Sequence, residues 1–430
     1  TTDDRPNAEV PGARGEARQP TDLLTHCPLL TVPFSPLSSI IISSKQHRRV
    51  EATLTTHLTD SDHQAVIDLI WSQMPAKQNR HASSWWFFLL CPEGPDGYGP
   101  RQMMFTVAAR AGRRIRINDV WLPGLNLARP VAGVDRFDAM SVGWYCDGET
   151  VHDFLRLAGP AEMDANAGRL HCANDAGQGI TFARSAEHPV GLAATVCGPG
   201  GAAEFETWGT LDSAHDSPTV SMNIDTPFGG THYIGWRRLN FRGRFELPTG
   251  VETLHGTGFF QRVCLNVPVF PWKWIWAIFP DRSVFTAYLP YVGLNLFRKG
   301  YRFFRSERLE GAALTIKPSA TWVPSGGGAP IRLDRVSAVP RLGRGPYPQF
   351  DVRAANAAGD SIAFTAATYG LSRFYIDRPV LGGLAETHWN YNEFMFRMDG
   401  LSGSIAGRPL APAAMGQAFG SFEYTYGLGL

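Results

Sequence analysis

The chain is notable first for what it does not carry. Its 430 residues include six cysteines, Cys27, Cys91, Cys146, Cys172, Cys197 and Cys264. No two form a C-x-x-C pair and none has zinc-site spacing, so neither a zinc nor a disulfide framework is required. There is no N-x-[ST] sequon, no P-loop, no H-E-x-x-H, no G-x-S-x-G and no dinucleotide fingerprint leading into a helix. "GTGFF" and "SGGGAP" place glycines at turns and lack the context of a phosphate cradle. No cofactor and no metal is implied. Charge of one sign is lacking too: 40 Lys+Arg stand against 39 Asp+Glu, net +1. A nucleic-acid binder would show a basic stripe, so no nucleic-acid partner is expected. The polar opening "TTDDRPNAEVPGARGEARQP" has no apolar h-region; a signal peptide is not visible, and a cytoplasmic setting is the expectation.

Long apolar runs are also missing. A membrane-spanning helix needs about 20 of them in a row. The most aromatic stretch, "PVFPWKWIWAIFPDRSVFTAYLPYVGLNLF" (268–297), is broken by Pro268, Pro271 and Pro280 and charged by Lys273, Asp281 and Arg282. Prolines exclude an ordinary helix there as well. Trp272, Trp274 and Trp276 follow at i, i+2, i+4, the spacing of a strand, so they share one face; Ile275, Ala277 and Phe279 line the other. "PDRS" supplies a turn and "VFTAYLPYV" a returning strand. Residues 271–292 therefore read as a β-hairpin buried on both faces.

What is abundant is aromatic residue (12%), glycine (45) and proline (31), scattered as in a turn-rich β protein. Residues 1–25 read as a disordered leader. One helix is expected at 61–74, with Ser61 and Gln64 as a capping box and Pro75 as its stop. From Ser83 onward the pattern is short alternating runs bounded by turn residues. A boundary near "ELPTG" divides the chain into a first β domain over 26–248, including the helix, and a second over 249–430. "SSWWFFLLCPEGPDGYGPRQMMFTVAAR" (83–110) has the same hairpin plan as 272–290, which hints at duplication.

Candidate chemistry gathers in three places. Trp272, Trp274 and Trp276 are either core or the wall of a cavity, where indole faces shelter an apolar substrate or a developing cation. In "NIDTPFGGTHYIGWRRLNF" (223–241), Asp225 reads first as a turn residue and His232 either as a structural histidine or as a general acid beside Trp236. Glu206, in "AEFETWG", is by default on a solvated face. In "ATYGLSRFYIDRP" and "ETHWNYNEFMF", Arg373, Tyr375, Asp377 and His388 add polar groups. Trp389, Tyr391, Glu393 and Met395 share a strand face. Glu393, flanked by aromatics, is either one half of an ion pair, with Arg397 or a neighbouring strand, or the carboxylate that the family resemblance described below favours.

"SSWWFF" (83–88), "HGTGFFQR" (255–262) with "FPWKWIWAIF" (270–279), and "NYNEFMFRMDGLSGSIAGR" (390–408) resemble the opening and closing strands of the two-domain lipocalin-like family. That family includes carotenoid 1,2-hydratase, tocopherol cyclase and lipocalin-like Diels–Alderases. Gln261 and Arg262 depart from it, standing where the hydratases carry an acidic residue. The resemblance covers roughly residues 80–430. It implies two antiparallel lipocalin-like barrels in tandem, with an apolar cavity in or between them and no cofactor. The implied substrate is a hydrophobic small molecule, isoprenoid- or polyketide-like. The implied reaction is acid-assisted addition to, or cyclisation at, a carbon–carbon double bond. Glu393, Asp225, His232 and Tyr375 are the catalytic candidates. Trp272, Trp274, Trp276, Trp236, Trp85, Tyr391 and Arg373 are the substrate-binding ones. The alternatives are a pericyclase using cavity shape with Tyr375 or Arg373 as hydrogen-bond donor, and a non-catalytic binder of apolar ligands.

Overall fold

Side chains alternate across a strand, so a strand with both faces covered must be apolar throughout. The runs "WWFFLL" and "WIWAIF" meet that condition, and the fold shows why. The computed structural model describes residues 70–71, 83–110, 114–117, 120–123, 134–188, 191–209, 219–226, 229–265, 270–293, 313–326, 328–342, 345–380 and 384–427. It is 74% strand, in two barrel-like antiparallel sheets. Residues 57–430 form one compact unit. Among the described residues, helix is confined to Ile70 and to α1 (Pro412–Met415). Trp71 is a turn residue, and the remainder of the expected helix 61–74, like the leader, lies outside the described residues.

In chain order the strands are β1 (Ser83–Gly94), β2 (Gly97–Tyr98), β3 (Gln102–Arg110), β4 (Arg114–Ile117), β5 (Val120–Pro123), β6 (Val134–Cys146), β7 (Val151–Asp164), β8 (Arg169–Ala173), β9 (Gly179–Arg184), β10 (Gly191–Gly198), β11 (Gly201–Trp208), β12 (Thr219–Thr226), β13 (Gly229–Leu247) and β14 (Gly250–Leu265). They continue as β15 (Trp272–Ile278), β16 (Val284–Val292), β17 (Leu314–Thr315), β18 (Ser319–Val323), β19 (Ile331–Leu333), β20 (Arg335–Arg341), β21 (Gln349–Ala355), β22 (Ser361–Val380), β23 (Ala385–Ile405), β24 (Arg408–Pro409) and β25 (Phe419–Gly427). The 12-stranded first sheet runs β11-β10-β9-β8-β7-β6-β3-β1-β14-β13-β12, and a further β11–β13 pairing closes it into a ring. The 13-stranded second sheet runs β19-β18-β16-β15-β25-β23-β22-β21-β20. β4 and β5, encoded between strands of the first sheet, pair instead onto β22 of the second. The turn at Pro248 and Thr249, where a domain division was expected, lies inside the first sheet; the change of sheet comes between Leu265 and Trp272.

Each barrel has its own interior. Trp86, Phe88, Leu90, Phe105, Phe205 and Trp236 fill the first. Ile275, Ala277, Phe350, Phe394, Phe422 and Tyr424 fill the second. A third cluster lies between them, on the outer faces of the same strands: Phe87, Leu89 and Met104 from the first sheet meet Phe259 of β14 and Trp274, Trp276, Phe374 and Met395 of the second. The expected hairpin is present as β15 and β16, paired from Trp272↔Pro290 to Ile278↔Val284. Its turn is fastened by Asp281, whose carboxylate accepts bonds from the Ser283 amide (2.8 Å) and hydroxyl (2.9 Å).

Polar clasps tie the barrels together. Gln102, fully buried, donates from Nε2 to Tyr369 and to the Gly420 carbonyl, both at 2.9 Å. Arg238 Nη1 donates to the carbonyls of Arg282 (2.9 Å) and Pro324 (3.1 Å). The Trp276 indole donates to the Arg237 carbonyl at 2.8 Å. A buried donor left without such an acceptor would be costly, so these bonds fix the mutual setting of the sheets.

Candidate active site

Two carboxyl groups lie side by side where the barrels meet. Glu393 of β23 and Glu423 of β25 are direct cross-strand partners. Opposed residues in a sheet have their Cβ atoms about 5 Å apart on the same face. Glu393 is fully buried and Glu423 is 3% exposed. Glu423 Oε1 accepts a hydrogen bond from the Tyr391 hydroxyl at 2.7 Å, and its Oε2 accepts one from the Trp272 indole N–H at 2.5 Å. Glu393 Oε1 accepts one from Ser421 at 3.0 Å. The Trp144 indole acts electrostatically on the same carboxyl, but neither Trp144 Nε1 nor Glu393 Oε2 completes a hydrogen bond.

These surroundings separate the two acids. Burial, then the neighbouring Glu423 charge, raises the Glu393 carboxyl well above the usual carboxylate range; Ser421 and Trp144 act in the opposite sense. Burial raises Glu423 to about 7, although the bonds from Tyr391 and Trp272 favour its charged form. Both carboxyls are thus displaced toward the protonated form, and Glu423 is poised to change state near neutrality. Two titratable groups held apart in this way is the pattern from which acid and base roles are assigned. Burial, then the two glutamate charges, pushes the Tyr391 phenol well above its usual value, so it remains a hydrogen-bond donor.

Aromatic rings from both barrels enclose the pair. Trp85 of β1 stacks on Trp272 at 6.5 Å, and Trp272 meets Trp389 at 5.2 Å and Tyr391 at 6.3 Å. Tyr233 of the first barrel and Tyr288 of the second both feel the Glu423 charge, and burial raises each to about 12. Tyr288 keeps 39% of its surface open. Trp85, Trp272, Tyr233 and Tyr391 are likewise only partly covered. A described groove of about 590 Å³ lies elsewhere, over β20, β21 and β22, and contains none of the expected site residues.

The other expected residues are distributed unevenly. Trp272 joins the acid pair, but Trp274 and Trp276 are 7% and 0% exposed and form the packing between the barrels. All three do share a face, as their spacing requires. Trp236 is interior to the first barrel, 5.5 Å from Phe260. Asp225 and His232 fall on β12 and β13, in the first sheet; their side chains lie outside the described residues. Arg373 and Tyr375 sit on β22, Arg373 exposed and Tyr375 8% exposed, with the Tyr375 hydroxyl bonded to His388 rather than to either glutamate. Glu206 accepts a bond from Ser185 at 3.3 Å. Arg397 pairs with Asp399 rather than with Glu393. Arg262, in the place of an acid, lies 3.7 Å over the Trp86 ring and donates to the Ile70 carbonyl at 3.1 Å. Glu423, the partner acid, was not anticipated. Its signal is Ser421, Glu423 and Thr425 alternating with Phe422, Tyr424 and Tyr426, a polar face on a strand whose other face is aromatic.

No model of a known protein family matches the chain, and no curated protein matches it. Among solved structures it is similar to a Nitrosomonas europaea protein designated AttH, at 13% identity and TM-score 0.47, over 82% of this chain and 95% of that one. It is similar to kievitone hydratase from Nectria haematococca, at 13% identity and TM-score 0.41, over 84% and 92%. It is also similar to CghA, solved with Sch210972, at 11% identity and TM-score 0.42, over 80% and 88%.

Proposed function

We propose that the chain is an enzyme that holds an apolar, isoprenoid- or polyketide-like substrate against Trp85, Trp272, Trp389 and Tyr391 and acts on a carbon–carbon double bond by proton donation. The observation that carries this reading is the buried Glu393–Glu423 pair, both carboxyls raised by burial and Glu423 titrating at about 7, with the partly covered Tyr391 phenol bonded to Glu423. In this mechanism protonated Glu423 gives its proton to the Tyr391 oxygen as the Tyr391 hydroxyl proton passes to the alkene carbon. Glu393 stays neutral and keeps a second negative charge out of the site. Indole faces shelter the carbocation, worth about 2 kcal/mol each when desolvated. Water or an internal nucleophile then adds, and the proton it releases returns to Glu423, giving hydration or ring closure.

The test is turnover of acyclic polyene and isoprenoid substrates in D2O, read by mass spectrometry. Wild type is expected to place one deuterium on carbon. Glu423→Gln and Tyr391→Phe are expected to slow this by about 100-fold or more, the usual scale of general acid–base catalysis. Absence of deuterium in the wild-type product, or full turnover in both variants and in Glu393→Gln, would sink the acid mechanism.

A second reading rests on exposure. The carboxyls are closed off while the phenols, Tyr288 above all, keep open surface. A pericyclase needs only a shaped site and such neutral donors. Activity that survives both glutamate variants but falls in Tyr288→Phe selects it.

A further inference from the structure

β23 has two faces, and the second carries a polar group of its own. Trp389 and Tyr391 point to the acid pair; His388 and Asn390 alternate with them. On that face the His388 ring nitrogen Nδ1 is approached by two oxygens at once. One belongs to the Asp377 carboxylate, its cross-strand partner on β22, and the other is the Tyr375 hydroxyl at 2.8 Å. An imidazole nitrogen has one lone pair or one N–H and serves one such oxygen fully. Glu386, exposed and two residues before His388, brings a third carboxylate or imidazole donor; the ligand atoms of Asp377, Glu386 and His388 lie within 4.8 Å of one another. The Asp377 and His388 side chains are 0% and 10% exposed.

Two further polar groups lie beside this cluster. Among the described residues, His388 Nε2 and both amide atoms of Asn390, a residue 1% exposed on the same strand face, are buried without a hydrogen-bond partner. A buried amide with neither end bonded is costly. Such a cost is tolerated where a bound ion, with its water or ligand, supplies the missing partners.

We propose that Asp377, Glu386 and His388 bind one divalent first-row transition cation at the β22–β23 end of the second barrel. Tyr375 stands beside the ion. Asn390 holds a water or ligand group in the open coordination position. One imidazole with two carboxylates suits zinc, which takes such ligands at about 2.0–2.2 Å. The site is independent of the acid pair, from which β23 itself separates it.

Zinc is the probe. Isothermal titration of the full chain is expected to give one saturable Zn²⁺ per molecule, with a zinc-dependent rise in melting temperature. His388→Ala and Glu386→Ala should each weaken that site at least tenfold and abolish the rise. Glu386 is exposed, so its variant keeps the fold whatever His388→Ala does. The proposal is overturned if wild type takes up no stoichiometric zinc, or if Glu386→Ala binds it as tightly as wild type.

Discussion

Glu393 and Glu423 hold the same functional group and differ only in what touches them. The unfolded chain releases the Glu423 proton near 4.5 and the folded one near 7. Between those values the folded state binds more protons, so stability falls as pH rises through that window and is lowest above it. Glu423→Gln removes this loss. Its melting temperature relative to wild type is therefore expected to be higher at about pH 8 than at about pH 5, by a few degrees. A difference constant across that range would place the titration elsewhere. If Tyr391 must receive its proton from Glu423, kcat should also decline above about pH 7, the side on which that acid is empty. At this scale Glu393 was legible, because a lone acid among Trp389, Tyr391 and Met395 is conspicuous in a single strand. Glu423 was not, because its meaning depends on a partner thirty residues away that only strand pairing supplies.

A strand covered on both sides has no neutral face. β15 gives Ile275 and Ala277 to the second barrel and Trp274 and Trp276 to the seam. Trp276→Ala would leave a void in that seam and is expected to cost about 3–5 kcal/mol, measurable by urea unfolding. Gly420, next to Ser421 on β25, is a harsher case. A Cβ there would lie 2.1 Å from the Trp276 carbonyl oxygen. Gly420→Ala must therefore push β25 off β15, and it should destabilise the fold and shift the Glu423 side chain's partners together. The i, i+2, i+4 tryptophans made this hairpin readable. Periodicity could not tell which face meets an interior and which a neighbouring barrel, since both demand apolar side chains.

For the molecule as a whole, the shared seam makes the two barrels one folding problem. Residues of both sheets enter the same buried cluster, and Gln102 and Arg238 reach across it. Thermal unfolding of the described unit is expected to be a single transition, coincident by near-ultraviolet and far-ultraviolet dichroism; two separated transitions would show that the seam does not couple the sheets. The β class followed from turn spacing; the tandem plan came from the family resemblance, with the repeated aromatic hairpin as a hint. The path of β4 and β5 did not, because nothing local in "RIRI" or "VWLP" says which sheet receives it. That path has a consequence for inheritance. Residues 114–123 are encoded amid the first barrel yet extend a strand of the second. A gene reduced to its latter half would yield a product with a bare rim along β22, open to unwanted association. Recombination that trades halves between relatives must therefore carry this strip across with the later exons or codons, or fail. The two sheets are thereby bound into a single heritable piece.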